Sequence, residues 1–184
     1  MSTVTDTSTE RLIAELYTID GKAEIVRGEI VMMSPTGDMP NSAALAIVLG
    51  LREYARSHGG RVYTDNAAFL VNLPHRKSIS PDAAYYTGPR ARMKFLPEAP
   101  VFAVEVRSED DYGPAAQRDM ANKRADYFAA GTKVAWDVDL LGDDVVRVYR
   151  AEAPDEPTIY RKGEMAEAEP AVPGWTFPVN ELFD

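Results

Sequence analysis

The sequence predicts a mixed α/β or α+β fold, in which a central sheet carries one long helix on each side. Three observations support this prediction. Short apolar runs such as residues 101–106 are typical of buried strands. Residues 41–57 and 114–130 carry apolar side chains at helical spacing. The length of 184 residues and the hydrophobic content of 45% suit one domain, residues 1–184.

The first third of the chain predicts a helix, a hairpin and a second helix. The segment "TSTERLIAEL" offers Thr or Ser as an N-cap, with Glu10 early in a short helix. The segment "AEIVRGEIVMMSP" predicts two short strands around Gly28, an N-terminal β-hairpin extension. The amphipathic helix of residues 41–57 is then closed by "HGG".

The middle of the chain predicts strands separated by turns. "RVYTDNAAFLVNLP" is typical of a strand pair or a bent strand, and Pro81-Asp82 leads into the strand "AAYY". The apolar strand of residues 101–106 follows a loop.

The last third predicts a helix and two strands. Pro114 occupies the first position of a helix that runs to about Ala130, with Gly131 as its C-terminal cap. "VAWDVD" and "VVRVYR" are the strands, separated by "LLGDD". From Ala151 the chain is acidic and rich in proline, and its end, "PGWTFPVNELF", is expected to pack back on the body.

The distribution of charge limits the kind of partner. The net charge of −9 argues against a protein that coats nucleic acid non-specifically, because phosphate contacts need Lys and Arg. Residues 74–107 nevertheless carry six basic and three acidic side chains, whereas residues 151–184 carry two basic and eight acidic ones. The middle of the chain therefore tolerates an anionic partner best, although charge alone favours an ordinary solvated loop.

Three charged residues lie where a purely structural role is difficult to assign. Glu105 stands inside the apolar run "VFAVEV", and an unpaired buried carboxylate is costly. Asp82 begins another strand directly after a proline that fixes the approach of the chain. Lys123 shares a helical face with Met120 and Tyr127, so it is directed at the protein body.

Two carboxylates on neighbouring strands with a lysine above them form a recognisable chemical unit. Carboxylate oxygens bind hard divalent cations such as Mg²⁺. Such a cation lowers the pKa of a bound water, and a lysine can position that water or stabilise charge that develops on a phosphate. The combination therefore predicts metal-dependent hydrolysis of a phosphodiester bond.

Each of the three residues also has an ordinary structural explanation. Asp82 after a proline fits a turn or a cap. Glu105 fits an ion pair with a base such as Arg107, and Lys123 can extend its amine into water. Only the conjunction of the three, in this order, favours a catalytic site.

Six segments of the chain occur in a characteristic order and spacing: "RGEIVMMSP", "SPDAAYY", "PVFAVEVRSED", "DMANKRADYFAAGTKVAWDVD", "VRVYR" and "PGWTFPVNELF". Together they resemble the Uma family of putative restriction endonucleases, which belongs to the PD-(D/E)XK nuclease superfamily. The resemblance covers nearly the whole chain. It implies a restriction-endonuclease-like core and a site that hydrolyses DNA phosphodiester bonds with Mg²⁺ or Mn²⁺.

The resemblance also assigns roles to individual residues. It implies that Asp82 is the aspartate of the Pro-Asp motif and Glu105 the acidic residue of the second motif, both metal ligands. Lys123 is similar to the catalytic lysine that lies on the following helix in this family. Glu29 matches a further glutamate that would reach the metal through water. Because a duplex cut needs two sites, a homodimer is expected.

The chain departs from the superfamily pattern at two places. Arg107 stands where a lysine is usual; it is a poor general base, but it faces the same side as Glu105 and can clamp a phosphate. The acidic "SEDD" that follows Glu105 would repel a phosphate backbone. The alternative is therefore a nuclease-fold binding or interaction protein with little or no catalytic activity.

Other classes of function are poorly supported. Two histidines and no Gly-x-Ser-x-Gly motif argue against a serine hydrolase, and no phosphate-cradling glycine loop is found. Zero cysteines exclude disulfides and favour a reducing cytoplasm. No apolar run approaches the roughly 20 residues of a membrane span, and the first ten residues lack the pattern of a secretory signal.

Overall fold

The computed structural model describes residues 7–184 of the chain. The α-helices of this range are α1 (Thr7–Leu16), α2 (Asp38–His58) and α3 (Pro114–Ala129), and a 3-10 helix spans Val179–Phe183. No helix among these is long and apolar enough to cross a membrane.

The strands of residues 7–184 form one central sheet and three small ones. In chain order they are β1 (Ala23–Val26), β2 (Glu29–Met32), β3 (Arg61–Thr64), β4 (Phe69–Leu70), β5 (Ser78–Ile79), β6 (Ala83–Tyr86), β7 (Phe102–Val106), β8 (Val134–Val138), β9 (Val146–Arg150), β10 (Ala153–Tyr160), β11 (Met165–Glu167) and β12 (Thr176–Pro178). The central sheet has the order β10-β9-β8-β7-β6-β3. Only β7 and β8 are parallel neighbours in it, with α3 as their crossover, which confirms the predicted mixed sheet.

The two faces of the central sheet are covered by different helices. Phe102 and Val104 on β7 face the main core, where α2 and Trp136 pack against the C-terminal segment. The indole rings of Trp136 and Trp175 stack with centroids 5.4 Å apart, so the segment "PGWTFPVNELF" does pack back on the body. Ala103 points to the opposite face, which α3 covers with Tyr127. Glu105, two residues on, points to the α3 face as well.

The predicted N-terminal hairpin is formed by β1 and β2, and it docks on the segment that precedes Asp82. Its turn has positive φ angles at Arg27 (53°) and Gly28 (79°), as in a type I′ turn, where glycine is favoured. The Ile25 N–H donates to the Ser78 hydroxyl at 2.8 Å, and the Lys77 N–H donates to the Ile25 carbonyl at 2.9 Å. Docking along β1 carries the residues beside Ile25 into the body of the protein.

Two predicted elements differ in extent or pairing. Residues 61–74, predicted as a strand pair or a bent strand, divide between β3 in the central sheet and β4, which pairs with β5. Asn66, with φ at 67°, lies in the turn that separates them. The second helix begins at Asp38 rather than at Asn41. Pro40 is compatible with this start because it lies in the first turn, where backbone N–H groups have no acceptor within the helix.

The acidic, proline-rich segment after Ala151 contains a strand that its composition does not predict. β10 forms an edge of the central sheet, pairing with β9 through an irregular register between Ala153 and Thr158. Proline cannot donate to a ladder of hydrogen bonds, but an edge strand needs donors on one side only. The edge position therefore explains why this composition is compatible with a strand.

Candidate active site

Asp82 stands immediately before β6 and its side chain crosses to the neighbouring strand. Its backbone N–H donates to the Val104 carbonyl at 3.0 Å, and its Oδ2 accepts the Val106 N–H at 2.8 Å. Because Glu105 lies between these two residues of β7, the contacts place the two carboxylates side by side. Repulsion from Asp82 accordingly contributes to the raised pKa of Glu105.

Glu105 accepts hydrogen bonds from two residues of α3. Lys123 Nζ lies 3.0 Å from each carboxylate oxygen, and the Tyr127 hydroxyl donates to Oε1. Lys123 and Tyr127 are four residues apart on the helix, so both side chains lie on the same face. The Glu105 side chain is 24% exposed, so it is largely but not completely withdrawn from water.

Glu24 on β1 is a third carboxylate in this cluster, and the sequence analysis missed it. Its side chain is 2% exposed; one oxygen accepts the Ser80 N–H at 2.8 Å and lies 3.2 Å from Lys123 Nζ. The other oxygen pairs with Arg76. Glu24 stands in the apolar strand "AEIV" as Glu105 stands in "VFAVEV", and the same argument about buried carboxylates could have found it.

Lys22, also on the hairpin, is the second lysine of the cluster. Its Nζ lies 2.8 Å from Asp82 Oδ1 and 2.5 Å from Asp65 Oδ1. The Lys22 side chain is 12% exposed, so the ammonium is largely withdrawn from water. Lys22 therefore neutralises Asp82 on the side opposite the Val106 contact.

Burial and charge together set the protonation of the cluster. Desolvation raises the pKa of Glu105 to about 7, although Lys123 opposes the shift. Desolvation alone would lower the pKa of Lys123, but the carboxylates of Glu105 and Glu24 raise it above its usual value. The pKa of Lys22 is raised as well, because attraction to Asp82 and Glu105 outweighs its desolvation. Both ammonium groups stay charged at neutral pH, and Glu105 is the member that titrates there.

Arg107 pairs with a carboxylate outside this cluster, and its predicted role as a phosphate clamp stays a prediction. Its guanidinium binds Asp137 on β8 in a bidentate manner, with Nε–Oδ1 at 2.8 Å and Nη2–Oδ2 at 2.7 Å. These hydrogen bonds raise the pKa of Arg107 further. The donors that a phosphate clamp would use are thus engaged by a carboxylate.

Glu29, predicted to reach the metal through water, lies apart from the cluster. It begins β2 with an exposed side chain, opposite Val26 in the hairpin. In residues 7–184 it has no ion-pair partner and no side-chain hydrogen bond. Glu24, on the other strand of the same hairpin, is the glutamate that the fold brings to Asp82, Glu105 and Lys123.

The donor set of the cluster suits a hard cation in chemistry, but its oxygens are already engaged. Carboxylate oxygens are the ligands that Mg²⁺ prefers. Asp82 Oδ1 faces Lys22, and both Glu105 oxygens face α3. Accordingly, no group of three or more His, Cys, Asp or Glu side chains within residues 7–184 is arranged to hold a metal ion. A cation at Asp82 and Glu105 would compete for these oxygens with the ammonium groups of Lys22 and Lys123.

The fold and the family of the chain are both found among known proteins. The chain is similar to a crystal structure described as a putative nuclease belonging to DUF820 from Anabaena variabilis, with a TM-score of 0.72 and 14% identity over 93% of this chain and 96% of that chain. This likeness confirms the restriction-endonuclease-like fold. The model of the Uma2 family, described as "Putative restriction endonuclease", matches residues 12–180. The chain therefore belongs to the Uma2 family, as the sequence motifs predict. No curated protein matches it.

Proposed function

We propose that this protein is a divalent-metal-dependent endonuclease that hydrolyses phosphodiester bonds of DNA. The observation that carries the proposal is the convergence of Asp82, Glu105 and Lys123 from three separate elements, β6, β7 and α3. Asp82 stands at the start of β6 and Glu105 lies on the adjacent strand β7. Lys123 contacts Glu105 from the helix that covers this face of the sheet. Membership of the Uma2 family supports the same class of reaction.

Asp82 and Glu105 would hold Mg²⁺ or Mn²⁺ through their carboxylate oxygens. When bound, the cation supplies Lewis-acid polarisation of the scissile phosphate and a more acidic water. Tyr127 fixes the orientation of Glu105 through its hydroxyl, and the Val106 N–H fixes that of Asp82. Both carboxylates are therefore oriented before a substrate arrives.

Lys123 serves as a donor of charge and hydrogen bonds rather than as a base. Its pKa is raised by Glu105 and Glu24, so the ammonium keeps its proton at neutral pH. From its place beside Glu105 it can donate to a phosphate oxygen or orient the attacking water. Glu24 Oε1 lies 3.2 Å from the ammonium and helps to hold it beside Glu105.

The direct test is incubation of the wild type with supercoiled plasmid, linear duplex and single-stranded DNA in Mn²⁺. We expect cleavage with Mn²⁺, none in EDTA, and none by Asp82→Ala, because the variant lacks a ligand that no other side chain replaces. Gel analysis of the three substrates also gives the preferred form of DNA, and a duplex cut would support the homodimer. Equal nicking by wild type and Asp82→Ala would contradict the proposal.

Replacing Lys22 is expected to strengthen metal binding. In Lys22→Met the ammonium that lies 2.8 Å from Asp82 Oδ1 is gone, so a cation no longer competes with it. We expect Mn²⁺ to bind about tenfold more tightly, a difference of about 1.4 kcal/mol, as measured by titration calorimetry. Lys133→Met, at an exposed position, is the matched control and should bind Mn²⁺ as the wild type does. If Lys22→Met bound Mn²⁺ as tightly as the wild type or more weakly, the proposed competition between Lys22 and the cation for Asp82 would be wrong.

A second candidate is a nuclease-fold binding protein with little or no turnover. Two observations favour it: Lys22 holds Asp82 in the way a metal would, and the exposed Glu109 and Asp110 lie close after Glu105. The same cleavage assay separates the two candidates. A wild type that binds DNA but leaves all three substrates intact with Mn²⁺ would favour the binding protein.

A further inference from the structure

A cavity of about 380 Å³ lies next to Glu105, between α3 and strands β8 and β9. Charged side chains line most of it: Arg107, Arg124, Arg147, Asp137 and Asp139. In the sheet register Glu105 pairs with Asp137, and Asp137 pairs with Arg147. Neighbouring strands are about 4.8 Å apart, and β9, which carries Arg147, is the second strand from β7. The far wall of the cavity therefore lies roughly 10 Å from the strand of Glu105.

The two aspartates of the cavity are engaged by groups of the protein itself. Asp137 forms the bidentate pair with Arg107. Asp139 Oδ1 accepts the Tyr112 hydroxyl and the N–H groups of Leu141 and Gly142, at 3.0–3.1 Å. Desolvation opposes ionisation of Asp139, but these hydrogen bonds prevail and lower its pKa. Asp137 is therefore neutralised by Arg107, and Asp139 keeps only Oδ2 without a hydrogen bond, at 3.7 Å from Arg147.

Two arginines, in contrast, have N–H groups without hydrogen-bond acceptors in the described part of the chain, residues 7–184. The Arg124 guanidinium stacks over the Tyr149 ring, with Cζ 3.6 Å from the ring centroid, and no carboxylate of residues 7–184 lies within 4.0 Å of it. Arg147 Nη1 is buried and has no hydrogen-bond acceptor among residues 7–184; Asp139 Oδ2, at 3.7 Å, is within ion-pair distance but beyond hydrogen-bond distance. With Asp137 and Arg107 cancelling, Asp139, Arg124 and Arg147 leave the cavity with one net positive charge.

We propose that this cavity binds a phosphate group of the DNA, adjacent to the phosphate that is cleaved. Arg124 and Arg147 would be the residues that bind it. The inference rests on the proposed nuclease function and names a substrate-binding site for it. Guanidinium groups match phosphate oxygens in geometry and charge. The α3 helix links the two sites directly, because Lys123 contacts Glu105 and its neighbour Arg124 lines the cavity. Arg107 neutralises Asp137, which would otherwise repel the phosphate.

The test is binding of a fluorescein-labelled single-stranded oligonucleotide in EDTA, followed by fluorescence anisotropy over a series of salt concentrations. We expect Arg124→Gln and Arg147→Gln each to weaken binding about tenfold and to lower the salt slope by about one. Arg118→Gln removes the same charge from an exposed position of α3 outside the cavity and should bind within about twofold of the wild type. Melting temperatures report folding, and Arg124, which has no ion pair within residues 7–184, gives the cleaner variant.

The outcomes distinguish this inference from the proposed function. Arginine variants that bind like Arg118→Gln, or a wild type that binds no strand, would overturn the inference. A deoxynucleoside 5′-monophosphate that binds as tightly as the strand would also overturn it, by assigning the cavity to a free nucleotide. Glu105→Ala should retain the affinity for DNA in EDTA. Should it also cleave as the wild type does, the nuclease mechanism fails while the binding result stands.

Discussion

Lys123→Met is expected to lower the rate of DNA cleavage by about 10²- to 10³-fold, the cost typical of removing one preorganised donor from a transition state. The ammonium lies 3.0 Å from Glu105 and 3.2 Å from Glu24, and its raised pKa keeps it charged at neutral pH. Methionine fills similar space but donates no hydrogen bond and carries no charge. The loss therefore isolates the electrostatic part of the role.

The same variant should retain Mn²⁺ binding, because Asp82 and Glu105 remain and one competing cation is removed. Single-turnover cleavage and titration calorimetry together measure this split, with Lys133→Met as the exposed control. A loss of metal binding in proportion to activity would assign Lys123 a structural role in holding Glu105. Cleavage at the wild-type rate would exclude it from the chemistry.

Arg76→Met is expected to lower the free energy of unfolding by about 3–5 kcal/mol, the cost of removing one partner from a buried ion pair. Arg76 binds two carboxylates that are almost inaccessible: Glu24, to which Nη1 donates, and Asp126, whose Oδ2 lies 2.6 Å from Nε. His75 also contacts Asp126, at 2.6 Å, but is half exposed. Without Arg76, Glu24 keeps Lys123 as its only cationic partner among residues 7–184.

Urea unfolding followed by circular dichroism measures this effect, with Arg90→Met as the exposed control of equal charge change. A loss of less than about 1 kcal/mol would contradict it, since that is the range of solvent-exposed pairs. Because Arg76 holds Glu24, and Glu24 holds Lys123, we expect the stability loss to be accompanied by slower cleavage.

The central features of the fold and of the candidate site could be predicted from local patterns. Asp82 after a proline, Glu105 in an apolar strand and Lys123 on the apolar face of a helix are each readable from alternation or helical spacing. The structure brings these three together. Their catalytic roles stay predictions, because geometry alone does not measure turnover.

The partners of these residues could not be predicted, because they depend on contacts between distant segments. Lys22 and Glu24 reach the site only through the docking of the hairpin on residues 75–78, which no local pattern encodes. Arg107 shares a face with Glu105, as strand alternation requires, but its choice of Asp137 depends on the parallel pairing of β7 with β8. The edge strand β10 could not be predicted because it contains prolines, which are normally unfavourable in a strand but are compatible with an edge position.

That edge strand also limits how two copies of the chain can associate. Pro154 and Pro157 offer no N–H to an approaching strand, and the exposed Asp155 and Glu156 repel a second copy of themselves. The opposite edge, β3, has only four residues. Continuation of the sheet from one molecule into the next is therefore disfavoured at both ends. These edges disfavour strand-exchange aggregation through the central sheet, so a homodimer of the proposed nuclease would be expected to form through another surface.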